Sequence, residues 1–182
     1  MEIKGKEKFD VTADIDKLNL SFLETILKKE LLVPRTFVKG QVNVSGSLKS
    51  PILTGEAQIL DTAILKLRYL GTTFKLVNET IKLNSSGFDF GDMNLYDNYG
   101  NMATLSGNLF HNGFKDFKAK AYLSAPNGYN FMNTTYEDNQ DFYGKVFAKG
   151  DVDINGPFSD LNIDATVRTM KNSEFNLPVS GK

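Results

Sequence analysis

The side chains of this sequence best suited to chemistry are the oxygen donors crowded at Asp89, Asp92, Asn94, Asp97, Asn98 and Asn101. Hard cations such as calcium take carboxylate and carbonyl oxygens, so the cluster invites a metal reading. Its spacing departs from the calcium-loop pattern, which needs a glycine at position six and a distal glutamate. The plainer expectation is outer-face and turn residues, with no metal. Glu137, Asp138 and Asp141 form a second set, and glycoside hydrolysis uses two carboxylates at a defined separation across a sugar. In a stretch this rich in Asn, Thr and Tyr they read as solvated turn residues. The single histidine, His111, stands beside Asn112 and Gly113. It is expected in a solvated turn, because a triad or metal site needs partners that this neighbourhood does not supply.

Other chemistries are removed by what the chain lacks. It has no cysteine, which excludes a disulfide framework, a thiolate metal site and a cysteine nucleophile. It carries no glycine-rich phosphate loop, nucleophile elbow or zinc motif. Asn43, Asn78, Asn84 and Asn133 each begin an N-x-S/T tripeptide, a glycosylation acceptor only in a secreting eukaryote. Neither a cofactor nor a catalytic residue is expected. Lys plus Arg (21) nearly cancels Asp plus Glu (22), so no net field draws in nucleic acid or an anionic surface. No run approaches the roughly 18 apolar residues of a membrane span, and the first residues lack an apolar signal core. The last residues follow directly on a strand-like run, which suggests a single segment, 1–182, of something longer.

The elements that must position these residues are mostly strands. One helix is expected over residues 20–32, where Leu23, Ile26, Leu27 and Leu31 fall three and four apart. Ser21 or Asn19 would cap it and Pro34 would stop it; it reads as a lid on a sheet. A strand at residues 10–16 precedes it. From Thr36 onward the chain alternates with period two, which sends successive side chains to opposite faces. Gly71, Val77-Asn78, residues 85–87 and Asn112-Gly113 mark turns, the last being a strong hairpin signal. One face collects Lys, Asp, Asn, Ser and Thr, the other apolar residues, as in antiparallel strands coating a core or cavity.

The chain also resembles itself. GQVNVSGSL at 40–48 and GDVDINGPF at 150–158 share their two glycines and their apolar positions. Each leads into a further strand, giving repeat units near 40–58 and 150–166. LSGNL at 105–109 is a looser copy. Repetition of this kind suggests stacked supersecondary units, each finishing the core of its neighbour.

The stretch LNLSFL at 18–23, the expected helix, and GQVNVSGSLKSPILTGEA at 40–57 together resemble the TamB family of the AsmA-like group, in its Bacteroidetes branch. LRYLGTTF at 67–74, LYDNYGNMATLSG at 95–107, FYG at 142–144 and residues 169–178 are similar to that family's strand pairs. The resemblance spans roughly residue 10 to the end and rests on diffuse glycine and apolar patterns. It implies a mainly β, elongated, taco-like antiparallel groove in the periplasm, in a protein anchored to the inner membrane. It also implies partners of two kinds, phospholipid or another acyl lipid and an outer-membrane assembly partner of the TamA or BamA type. Acyl chains would lie along Phe74, Leu76, Ile81, Leu83, Phe88, Phe90, Leu105, Leu109, Phe117, Leu123, Val152, Ile154, Leu161 and Ile163. Ala103, Gly107, Ala119, Ala121 and Ala148 would leave room between them. Two further readings stay open: a scaffold whose strand edges pair with a client strand, and a polysaccharide-active enzyme, against which the absence of Trp counts.

Overall fold

The computed structural model describes residues 8–22, 24, 31–32, 36–47, 50–113 and 115–178. Among these residues thirteen strands form: β1 Lys8–Asn19, β2 Leu31–Leu32, β3 Phe37–Ser47, β4 Ser50–Leu60, β5 Thr62–Leu67, β6 Thr72–Val77, β7 Thr80–Asn84, β8 Gly87–Tyr96, β9 Met102–Asn112, β10 Lys115–Thr134, β11 Tyr143–Pro157, β12 Asn162–Thr169 and β13 Glu174–Asn176. All described pairings are antiparallel, in the order β1-β3-β4-β7-β8-β9-β10-β11-β12. The result is one open, uncurled sheet.

Most of the helix expected over residues 20–32 lies outside the described residues. At its start Glu24 is helical, its N–H donating to the Ser21 carbonyl at 3.2 Å, whereas the described C-terminal end departs from the expectation. Leu20 donates its backbone N–H to the Thr36 carbonyl at 2.8 Å. Leu31 and Leu32 are paired as a strand with Leu67 and Lys66. Beyond Glu24 no helical residue stands among the described ones, and pairing with β5 supplies the backbone partners that a last helical turn would have sought within itself.

Period-two alternation becomes a two-faced sheet because laterally paired residues point the same way. Val38 pairs with Ile59, Val42 with Gly55, Leu83 with Phe88, Leu105 with Leu123, and Leu123 with Val152. An apolar face therefore runs unbroken from β3 to β11. The opposite face carries Asp10, Asn43, Lys82, Asp89, Lys120 and Asp153. It ties itself together at its surface, with Asn43 Nδ2 donating to Asp10 at 2.6 Å and Ser124 Oγ to Asp151 at 2.7 Å. The Ser124 hydroxyl, and after it that of Tyr122, holds the Asp151 carboxyl below its ordinary range.

The sheet departs from a simple meander at the β5–β6 hairpin, which β2 joins by pairing with β5. After β4 the chain makes the β5–β6 hairpin and only then returns as β7 to pair with β4, Gln58 opposite Thr80. The stem is closed by Asp61 and Asn78, both left-handed at φ 65° and 54°. Asn and Asp accept that conformation better than most residues. Asn78 N–H donates to the Asp61 carbonyl at 3.0 Å, and Ile59 N–H to Glu79 at 2.8 Å. This hairpin turns its own apolar side, Ala63, Leu65, Phe74 and Leu76, onto one end of the sheet's apolar face. There it builds a core with Val38, Ile59, Met93, Leu95, Ala103, Leu123, Ala125 and Tyr129. Phe74 stacks on Tyr129 at 5.9 Å, and the Tyr129 hydroxyl donates to the Thr73 carbonyl at 3.1 Å. Burial, and after it the charge of Asp97, pushes the Tyr129 phenol well above its usual range.

Candidate functional site: an open apolar face with a furrow

One end of the apolar face is roofed and the other is open. Under the roof the side chains are closed off, with Leu76 at 4% and Leu123 at 6% exposure. These two were expected to line a groove; they belong to the protein's own core, because the β5–β6 hairpin packs its apolar side there. Phe74 lies on the same hairpin and packs against that core, as do Ile81, Phe90, Leu105 and Val152 from the sheet. Leu83, Phe88, Leu109, Phe117 and Ile154 are half-buried further toward the open end. Leu161 and Ile163, at the β12 edge, are largely exposed, Ile163 at 60%.

The open part has relief, which the pairings define. Gly91 sits opposite Gly107, Gly107 opposite Ala121, Ala121 opposite Ile154, and Ile154 opposite Ile163. Over β8 to β10 this row has almost no side chain. On one flank stand Leu83, Phe88, Leu109 and Ala119; on the other stand Met93, Leu105, Leu123 and Val152. A shallow furrow thus crosses the strands at right angles, floored by glycine and alanine and walled by large apolar residues except at Ala119, where one wall drops. A side chain added at Gly91 would meet nothing within 4 Å. With strands about 4.8 Å apart, the distance from β7 to β12 is about 24 Å.

An aromatic group closes one flank. The His111 ring lies 5.4 Å from Phe88 and 5.8 Å from Phe117, and Phe117 stacks on Phe158 at 5.9 Å. His111 is therefore not the solvated turn residue expected of it. It ends β9 on the apolar face, half-buried, and that burial lowers its pKa and favours the neutral ring. The turn signal Asn112-Gly113 is correct, but the parity of β9 carries His111 to the same side as Leu109. Gly91 and Phe158 were not anticipated as site residues. The alternation of β8 hides Gly91, because a bulge between Asp89 and Gly91 shifts the register there.

The oxygen donors have structural duties. Asp97, 2% exposed, accepts from the backbone N–H of Tyr99 and Asn101 on one oxygen at 2.8 and 2.9 Å, and from Asn101 Nδ2 and Asn130 N–H on the other at 2.7 and 2.9 Å. Asp89 caps the bulge through Gly91 N–H at 2.9 Å. Asp138 accepts from the Thr135 N–H and hydroxyl, both at 2.9 Å. Those bonds, the backbone one foremost, hold its carboxyl below the usual range. Among the described residues no three His, Asp or Glu side chains are gathered to hold a metal.

Hollows of measurable volume lie elsewhere on the molecule. One, of about 460 Å³, lies among Asp14, Asp16, Lys39, Glu56, Gln58 and Thr80; another, of about 200 Å³, among Asn101, Gly128, Phe147 and Met170. Neither is lined by the expected groove residues. Comparison with protein-family models, with curated proteins and with solved structures finds no match.

Proposed function

We propose that this chain is the apolar-groove segment of a TamB-like envelope protein, holding or conducting phospholipid acyl chains in the periplasm between inner and outer membranes. The observation that carries the reading is the furrow: an apolar face continued across β3 to β11, left unroofed at one end, with Gly91, Gly107 and Ala121 in one row and open space above Gly91. Soluble proteins seldom leave a large contiguous apolar patch without a use. An alkyl chain laid across β8 to β11 would bury its methylenes at about 0.8 kcal/mol each. No covalent step is required, and the polar backs of the strands stay in water.

Native mass spectrometry of protein purified without detergent is expected to show bound phospholipid or fatty acid. Ile154→Lys, which sets a charge at the mouth of the furrow, should lower that occupancy about tenfold, equivalent to about 1.4 kcal/mol. Lys120→Ala on the polar face should leave it unchanged. Lipid-free spectra of correctly folded protein would defeat the proposal.

A second reading, a scaffold for outer-membrane proteins by strand addition with a TamA- or BamA-type partner, is favoured by the outer edges of β1 and β12, which no other strand covers among the described residues. An exposed edge strand is a template for another strand. Crosslinks from clients would then fall on those edges and not in the furrow.

A further inference from the structure

We propose that β12 is a self-pairing edge, joining antiparallel to β12 of a second copy of this chain about a twofold axis through Thr166. The proposal rests on the edge itself and not on the lipid reading.

Every residue of β12 is exposed on both faces, and among the described residues β12 pairs with β11 alone. Edges of this kind are commonly blunted by proline, bulges or inward-pointing charge. Here the strand has no proline, and its pairing with β11 runs without a register shift from Thr169 to Asn162. Ile163, at 60%, and Val167, at 45% exposure, point to the apolar face.

With Thr166 opposite the partner's Thr166, Asp164 falls opposite the partner's Arg168, and Arg168 opposite the partner's Asp164. Both ion pairs lie on the polar face. Ala165 meets the partner's Val167 on the apolar face, so that face continues across the axis. Directly opposed side chains of an antiparallel pair interact, opposite charges favourably and like charges unfavourably. Shifting the centre by one residue to either side separates Asp164 from Arg168, so the charges select this register. The other edge answers differently. Centring β1 on Thr12 sets Asp10 against the partner's Asp14 twice, which repels, and β1 also carries an irregularity between Ile15 and Leu18. The interface is an isologous one, the commonest kind in homodimers, but it is a single strand pair and falls below the area of a permanent complex. The association is therefore transient.

The chain contains no cysteine, so one introduced thiol reports on one position. Directly opposed Cα atoms stand about 4.5–5.5 Å apart, within disulfide reach. Thr166→Cys, exposed and therefore harmless to folding, should form a covalent dimer on mild oxidation at least fivefold faster than Thr12→Cys. Adding Arg168→Glu should bring the rate down to that of Thr12→Cys, and adding Asp164→Lys as well should restore it. A Thr166→Cys rate equal to that of Thr12→Cys, or one indifferent to the charge exchange, overturns the proposal. Bound lipid in the monomer is unaffected by either outcome.

Discussion

Gly107→Ala is expected to lower the unfolding free energy by about 4 kcal/mol, combining about 2 for forcing a side chain into a glycine-only backbone conformation with about 2 for overpacking. Gly107 has φ 130° in the middle of β9, and a Cβ there would stand 2.2 Å from the Lys120 carbonyl oxygen and 2.7 Å from the Ala121 Cα. Those are backbone atoms of the adjacent strand, so relief requires separating β9 from β10. Gly91→Ala makes a sharp comparison. Its φ of 57° is left-handed, but nothing lies within 4 Å of the added carbon, so its cost should be about 1 kcal/mol. Denaturant titration followed by circular dichroism reads both. A Gly107→Ala loss no larger than that of Gly91→Ala would mean that β9 and β10 are not as closely paired as described.

Asp97→Ala should cost about 3 kcal/mol, since hydrogen bonds to a charged acceptor are worth more than neutral ones and a buried donor left alone carries its full desolvation penalty. Asp97 holds the β8–β9 turn through Tyr99 and Asn101, and reaches Asn130 on β10, where the residue is 3% exposed. Removing it unfastens the turn and orphans a buried amide at the same time. For a domain of this size the melting temperature should fall by about 9 °C. Asp97→Asn should recover little, because its amide presents a donor to the donors of Asn101 and Asn130. Thermal unfolding with a loss under about 3 °C for Asp97→Ala would show that water replaces the carboxylate readily, against the burial seen.

Much of this fold was legible in the sequence, for a local reason. Alternation assigns a side chain to a face without reference to any neighbour, so the two faces, the β9–β10 turn at Gly113 and the polar backs of β10 and β11 followed from residue types. Strand order did not follow. The segment from Thr62 to Val77 alternates like those around it, and nothing local says that it leaves the meander to roof the sheet. That depends on two left-handed residues, Asp61 and Asn78, and on what lies beneath. The same gap explains Leu76 and Leu123, whose apolar character was read correctly and whose exposure was not. The furrow was half legible: Gly107 and Ala121 were identified as small residues on the apolar face. Their alignment with Gly91 depends on a bulge capped by Asp89, and bulges reset parity without changing composition. The shared glycines of the repeat were legible as a phrase. Their backbone reason is structural: Gly150 and Gly156 have φ 138° and 122°, and Gly46 has φ 97°.

Site-resolved photolabelling tests the proposed occupancy of the unroofed furrow by an alkyl chain most directly. A fatty acid carrying a carbene-forming group along its tail, irradiated with the folded protein, should label peptides holding Phe88, Leu109, Ala121 and Ile154. Peptides confined to the roof, including Leu76, should remain unlabelled, and excess unlabelled phospholipid should compete the signal away. Label spread evenly over both faces of the sheet, or indifferent to competitor, would contradict the account.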